Sequence, residues 1–319
     1  MSHIRLVSHV GMPELEDQLE RLIHQISPSI EWVRLAPDQA VDAGLQADGL
    51  FTMAAAAPNL AALLEPQHGI RWVHIFGTGV DMFPCELARG VLLTCSRGAT
   101  GVPMAEWAMA MILSAEKSLP DSWIKAPPVR WYESNLSSLQ GKSLGVLGYG
   151  AIGQALARRA KAFDMTVHAL VRNSRQSGSE KGVNFVQNFK QLLAQSDHLV
   201  LAAPATEKTR YIVNSESLRS ARPGLHIVNI ARGRLINQDD LRTALDAKQV
   251  ALASLDAVDP EPLPANHWMY SHPQVRLSPH ISWNSPLASK NMVDLFLENL
   301  KSFLHNRKLD GVVNIDEGY

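Results

Sequence analysis

Apolar positions along the chain switch between two rhythms, short unbroken runs and a spacing of three to four. The runs IRLVSHV (4–10), IEWVRL (30–35), ADGLFTMA (47–54), RWVHIF (71–76) and VLLTC (91–95) have the length and composition of buried strands. Between the first two, ELEDQLERLIHQI (14–26) puts Leu15, Leu19, Leu22, Ile23 and Ile26 on one helical face. Strands separated by helices pair in parallel, so the first hundred residues predict a layered α/β domain. A longer helix is predicted over 102–119, followed by an irregular, Pro-bearing stretch over 120–142. A second α/β series begins at 143–171 and continues through HLVLAAP (198–204), LHIVNIA (225–231) and VALASLDAV (250–258). An amphipathic helix over 285–306 follows.

Composition narrows the class. A chain of 319 residues can build two domains with a large core. Hydrophobic residues make up 46%, charged residues 19%, and the formal net charge is −1. Nothing there suits nucleic acid or a membrane surface as partner. Cys85 and Cys95 are the only cysteines, and their spacing is neither a redox pair nor a metal set, so no metal is expected. The start MSHIRLVSHVG has no apolar core or cleavage site of a signal peptide, and no apolar stretch approaches a membrane span. The expectation is a cytoplasmic enzyme.

Candidate chemistry begins at GVLGYGAIG (145–153), a G-x-G-x-x-G that follows an apolar strand and opens a helix. Gly148 permits the tight turn, Gly150 offers no side chain to block a pyrophosphate, and Gly153 lets helix and strand pack closely. The N–H groups at the helix start then face the anion. Gly148, Gly150, Ala151, Ile152 and Gly153 are the candidate phosphate-binding residues. The same glycine pattern also serves a strand–helix turn that binds nothing; the strand–turn–helix context favours a dinucleotide.

Three later segments carry polar residues beside apolar strands. VNIARGRLI places Arg232, SLDAVDPEPLP places Asp256 and Glu261, and LSPHISWNS places His280 after the run Val275–Leu277. In a doubly wound sheet, ligands bind beyond the carboxyl ends of the strands. Singly, each residue has an ordinary explanation as a surface cation, a solvated carboxylate or a structural histidine. Together they fit hydride transfer to a 2-keto acid. Arginine binds the carboxylate bidentately, histidine protonates the developing alkoxide, and a carboxylate beside that histidine orients it.

With these motifs in order, the chain resembles the D-2-hydroxyacid dehydrogenase family over nearly its whole length. The carrying segments are GTGVD (77–81), MAEWAMAMIL (104–113), LGYGAIG (147–153), APATEKTRYIVN (203–214), VNIARGRLIN (228–237), LDAVDPEPLP (255–264) and SPHISW (278–283). The glyoxylate/hydroxypyruvate reductase branch is the most similar. The resemblance implies a Rossmann-type doubly wound domain over 99–285. It also implies a discontinuous, flavodoxin-like substrate domain over 1–98 and 286–319, with an active cleft between the two. It implies Arg232, Glu261 and His280 as the catalytic set and the N–H groups of Thr78 and Gly79 as carboxylate ligands. Ala203, Pro204, Thr209, Ile230, Ala231 and Asp256 would line the nicotinamide and ribose. A homodimer formed through the 102–119 region is implied as well, with Trp131 reaching a neighbouring subunit. Trp283, beside His280, either narrows the pocket or packs. A dinucleotide-sensing interaction protein and a dehydrogenase of another small acid, such as formate or phosphite, remain alternatives, because fold does not fix function.

Cofactor choice turns on HALVRNSR (168–175). An NAD-binding unit places an acid at the end of its second strand to hold the ribose hydroxyls; here that position is Val171. Arg172 and Arg175 flank the spot, with Asn173 and Ser174 between them. Two guanidinium groups match the charge and geometry of a 2′-phosphate, so NADP(H) is the expected cofactor and NAD(H) the second choice. The competing explanation is a solvated basic loop.

Overall fold

A computed structural model of the chain describes residues 3–172 and 182–319, and the backbone of 178–180. The chain forms two compact units, Met1–Thr100 with Ser285–Tyr319, and Gly101–Asn284.

The first unit is built on β1 (Ile4–His9), α1 (Pro13–Ile26), β2 (Ile30–Arg34), β3 (Gly49–Thr52), the single turn α2 (Leu60–Leu63), β4 (Trp72–Ile75) and β5 (Leu92–Cys95). All five strands are parallel, in the flavodoxin-like order β2-β1-β3-β4-β5. Helix α1 buries Leu19 and Ile23 completely, with Leu15, Leu22 and Ile26 beside them. The C-terminal helix, Pro286–Leu304, belongs to this unit. Its start is fixed by the Ser285 hydroxyl, which accepts from Ala288 N at 3.0 Å, and by a proline in the first turn. Its apolar face explains the return: Phe296 lies 4.5 Å from the Phe51 ring and stacks on Trp72 at 5.6 Å, centroid to centroid. Aromatic faces of this size dominate the energetics of a small core.

The second unit contains α3 (Gly101–Glu116), β6 (Ser143–Leu147), α4 (Ala151–Ala162), β7 (Thr166–Leu170), β8 (Gly178–Glu180), β9 (Val183–Phe185), α5 (Phe189–Ala194), β10 (His198–Leu201), α6 (Ser215–Leu218), β11 (Leu225–Asn229), α7 (Gln238–Asp246), β12 (Val250–Leu255) and β13 (Val275–Leu277). Strand order is β13-β12-β11-β10-β6-β7-β9-β8, parallel except for β8 against β9. Alternate residues serve opposite faces. Leu199, Leu201 and Ile227 pack with α5 and α7, while Val146, Val200 and Val228 pack with α3 and α4. Both faces are therefore covered, which is why these strands read as continuous apolar runs.

Two details depart from the periodicity. Helix α3 stops at Glu116 rather than Leu119, and Ser118 turns into the left-handed region at φ 49°. The polar stretch after β7 contains the β8–β9 hairpin, extending the sheet where the sequence shows only a loop. Among the described residues, no helix is long and apolar enough to cross a membrane.

Candidate active site

The switch in winding direction of the second sheet falls at β6, between β10 and β7. Because its strands are parallel, the turns after β6, β7, β10, β11, β12 and β13 all emerge at one edge. That edge is the standard ligand position of such a sheet.

The turn after β6 is shaped by its glycines. Gly148 has φ +96°, and a Cβ there would meet the Ala202 carbonyl at 2.8 Å. A Cβ on Gly153 would lie 2.3 Å from the Gly148 carbonyl oxygen, so α4 packs against the turn only because that atom is missing. At Gly150, the N-cap of α4, a Cβ would meet nothing within 4 Å, which leaves open space directly before the helix. No side chain caps α4. Its first N–H groups, on Ala151, Ile152 and Gly153, thus lack the usual internal acceptor. Open space, orphan donors and the positive helix end together suit a pyrophosphate, so these residues fit a dinucleotide.

The end of β7 borders this turn. Leu147 is the register partner of Leu170, and Gly148 N donates to the Leu170 carbonyl at 3.0 Å. Val171 packs partly against the core, and Arg172 is exposed next to it. Asn173, Ser174 and Arg175 lie outside the described residues. After β10, Ala203 is buried and Pro204 exposed. The Thr209 hydroxyl donates to the Pro204 carbonyl at 2.8 Å and accepts from Thr206 N at 2.8 Å, closing the turn on itself.

Arg232 follows β11 after Ile230 and Ala231. Ile230 is in the core; Ala231 and Arg232 are half-buried. The turn is held by Asn229, a fully buried side chain that donates to the Arg232 and Ala257 carbonyls at 2.9 and 3.1 Å and accepts from Ala231 N at 3.1 Å. Sequence reasoning passes over Asn229, because an asparagine ending an apolar strand looks like an ordinary turn residue.

Asp256 is buried at 1% exposure and organises the segment carrying His280. One carboxylate oxygen accepts from Ile281 N at 2.8 Å and from the Ser278 hydroxyl, and the other accepts from Ser282 N at 2.8 Å. Its carbonyl accepts from His280 N at 3.0 Å. Held this way, His280 sits at φ 54°, an unusual backbone position for a histidine. Its Nδ1 donates to Glu261 Oε2 at 2.8 Å, and Glu261 Oε1 accepts from Val258 N at 3.0 Å. A carboxylate can only accept, so the proton on that side belongs to Nδ1, and Nε2 is the nitrogen left to exchange a proton. Trp283 donates from Nε1 to the His280 carbonyl at 3.0 Å, a packing contact on the backbone rather than the imidazole.

Thr78 and Gly79 belong to the first unit, in a half-buried turn beyond β4. The thiols of Cys95 and Cys85 face the carbonyls of Thr78 and Val80 at 3.8 and 3.9 Å. Both cysteines are unbonded. Among the described residues, no group of three or more His, Cys, Asp or Glu side chains could hold a metal.

A family model for the D-isomer specific 2-hydroxyacid dehydrogenase NAD binding domain matches residues 109–282, more than half of the chain. The chain belongs to the D-isomer specific 2-hydroxyacid dehydrogenase family. It is similar to a D-3-phosphoglycerate dehydrogenase of Bacillus subtilis, 30% identical over 75% of this chain and 46% of that protein. It is also similar to a glyoxylate reductase of Pyrococcus furiosus, 29% identical over 94% of this chain and 90% of that one. The chain spans about half the length of the phosphoglycerate dehydrogenases it matches, 46% and 49%. A solved NADPH-dependent glyoxylate/hydroxypyruvate reductase from Sinorhizobium meliloti, in complex with NADP and malonate, superimposes with a TM-score of 0.78. It is 25% identical and covers 99% of this chain and 98% of its own.

Proposed function

We propose that the protein is an NADPH-dependent reductase of small 2-keto acids, of the glyoxylate and hydroxypyruvate type. The single observation carrying this reading is the His280–Glu261 contact of 2.8 Å, at the strand edge that also presents the glycine turn and Arg232. A nicotinamide held at that edge would supply the hydride for reduction of the carbonyl. His280 protonates the carbonyl oxygen from Nε2, and Glu261 balances the imidazolium charge through Nδ1. Arg232 holds the carboxylate and polarises the carbonyl. Asp256 acts as a positioning residue, since both its oxygens are engaged with the 278–282 segment. Gly148, Gly150, Ala151, Ile152 and Gly153 take the pyrophosphate, and Ala203, Pro204, Thr209, Ile230 and Ala231 face the nicotinamide side.

The relatives named as glyoxylate and hydroxypyruvate reductases support the substrate class. NADPH is favoured because Val171 replaces the ribose-binding acid and Arg172 stands beside it. A homodimer is part of the proposal. The stretch after α3 leaves Trp123, Ile124, Val129, Trp131 and Tyr132 exposed, an apolar surface a second copy would cover. Steady-state rates with glyoxylate, hydroxypyruvate and pyruvate, each with NADPH and NADH, test the function. Turnover of a keto acid with NADPH is expected; no oxidation of either cofactor with any of them would overturn it. Light scattering tests the dimer, with a monomer as the refuting result.

A further inference from the structure

Two turns at the carboxyl edge of the second sheet are fastened to each other by side chains that would touch neither substrate nor cofactor. One turn follows β11 and carries Arg232; the other follows β12 and runs from Asp256 to Glu261. Fully buried Asn229 ties them from beneath. Its amide group donates to one carbonyl in each turn, Arg232 at 2.9 Å and Ala257 at 3.1 Å, so both amide hydrogens are used. Its side-chain oxygen accepts from Ala231 N at 3.1 Å, and its backbone carbonyl accepts from Asp256 N at 2.9 Å. Gly233 closes the middle. A Cβ there would lie 2.0 Å from the Val258 carbonyl carbon and 2.2 Å from its oxygen, so the two backbones meet only because that atom is missing. Gln238, the first residue of α7, ties the far side. Its amide group donates to the Asp259 carbonyl at 2.5 Å, and its oxygen accepts from Asp259 N at 3.3 Å.

The three ties fall on the consecutive residues Ala257, Val258 and Asp259. The middle one carries the Glu261 side chain: Val258 N donates to Oε1 at 3.0 Å, and Oε2 accepts from His280 Nδ1 at 2.8 Å. On the other turn, Arg232 Nη1 donates to the Ala231 carbonyl at 2.8 Å, and Asn229 holds Ala231 N. The guanidinium and the carboxylate–imidazole pair are thus registered against one frame. Two groups that act on one small molecule accelerate its reaction only while their separation is held, and a misplacement of about 1 Å can cost on the order of 10²-fold. We infer that Asn229 and Gln238 are positioning residues that set Arg232 and the Glu261–His280 pair at one fixed separation, so that carboxylate anchor and proton donor engage the same keto acid together. That role presupposes the proposed reductase reading and adds to it two residues that act at a distance from the substrate.

Gln238→Ala is the leading variant, because Gln238 is half-buried at the start of α7 and its loss leaves Asn229 in place. With hydroxypyruvate and NADPH it should lose about five- to tenfold in kcat, while KM for the keto acid changes less than about threefold and NADPH affinity stays parental. Asn229→Ser should lose about 10- to 100-fold in the same sense, with a lowered thermal midpoint. Gln238→Glu keeps the acceptor for Asp259 N and should fall between parent and Gln238→Ala. Because Gln238 acts through the Asp259 side of the frame, its loss should not multiply with that of Glu261→Gln. Parental kcat in folded Gln238→Ala, or full multiplication in the double variant, would overturn the inference. A readout without turnover is the pair of imidazole nitrogen chemical shifts of His280, which report which nitrogen carries the proton. The parent should show the proton on Nδ1, and Gln238→Ala a mixture of the two forms. If the parent reduces no keto acid yet these shifts change in Gln238→Ala, the reductase reading falls and the frame stands. Identical shifts in parent and variant remove the frame.

Discussion

Two histidine–carboxylate pairs lie on opposite edges of the second sheet, and their chemistry diverges with their surroundings. At the amino ends, His198 of β10 faces His226 of β11 across the register, Nδ1 to Nδ1 at 3.1 Å, and approaches Glu116 of α3 at 3.1 Å. At the carboxyl edge, His280 meets Glu261 at 2.8 Å. The side chains of the first pair are 2% and 8% exposed, those of the second 29% and 37%. Burial pulls the His198 pKa down to about 4; Glu116 opposes this and Lys142 adds to it. Burial also drives His226 well below its ordinary value, reinforced by His198 and Arg276. For Glu116, burial pushes upward but is outweighed by Lys142, 2.7 Å away, so its carboxyl stays below the usual range. A similar pairing therefore fixes a neutral imidazole in the interior, while the pair at the carboxyl edge stays half-open to solvent.

Crossing the two pairs by mutation should separate function from stability. His280→Ala is expected to cut keto-acid reduction by roughly 10²–10⁴-fold with little change in thermal midpoint or NADPH binding. A variant with near-parental turnover would remove His280 from the mechanism. Arg232→Lys keeps the charge and loses the planar fork, so kcat/KM should still fall by about tenfold or more. Parental activity in the Lys variant would show that the fork is not used.

The buried pair makes the opposite prediction, about folding and pH. In the unfolded chain a histidine takes up its proton near pH 6.5; in the folded chain His198 does so only near 4. The folded state thus binds fewer protons between these values. The stability associated with a neutral His198 is present above pH 6.5 and is lost as pH falls toward 4, on the order of 2–3 kcal/mol for that one group. The charged groups facing the cluster are Glu116, Lys142, Asp197 and Arg276. Glu116 acts in the same direction, since protonating a carboxyl held low also favours unfolding. Urea unfolding of parent and His198→Asn at pH 7 and pH 5 reads this directly. The parent should lose more stability on acidification than the variant; equal slopes would dissolve the contrast between the pairs.

The two pairs were unequally legible in the sequence. Continuous apolar runs such as HLVL and LHIVN announce strands buried on both faces, and the glycine spacing at 148–153 announces the turn at the sheet's switch point. Glu261 and His280 stand out because each is a polar residue just beyond such a run. His198 and His226 sit inside the runs, and only the register of β10 against β11 brings them together. Glu116 comes from a helix far earlier in the chain, so nothing local signals its arrival. Asn229 and Ser278 belong to the same class of hidden supports: Asn229 holds backbone carbonyls of other segments and Ser278 holds the Asp256 carboxylate, partners a sequence does not display; Asp256 stands out in the sequence, but its hold on the 278–282 backbone does not. The β8–β9 hairpin was illegible for another reason. Its strands are three residues long, too short for alternation to register.

Glu261→Gln sharpens the comparison at the carboxyl edge. The amide keeps the shape and can still accept from Nδ1, but it no longer balances a positive ring. Reductase activity should therefore disappear at a lower pH than in the parent, with a maximal rate reduced by about tenfold. An unchanged pH profile would show that the contact orients the ring without stabilising its charge.

The smallest expected effect concerns a single exposed cation beside the glycine turn. The end of β7 touches that turn through the hydrogen bond from Gly148 N to the Leu170 carbonyl, so residues 171 and 172 border the glycine turn. Val171 neither accepts from the ribose hydroxyls nor repels a 2′-phosphate, and Arg172 adds a positive charge next to it. One exposed charge–phosphate contact contributes modestly and is screened by salt. Arg172→Ala should raise KM for NADPH by about three- to tenfold and leave KM for NADH nearly unchanged; removing Arg175 as well should enlarge the difference. Val171→Asp should act in the reverse sense, lowering KM for NADH while raising it for NADPH, because the new carboxylate accepts from both hydroxyls and repels the phosphate. The parental preference for NADPH should shrink as ionic strength rises. Equal KM values for both cofactors in the parent, or equal changes in the Arg172 variant, would show that this edge binds the adenosine ribose without reading its 2′ position.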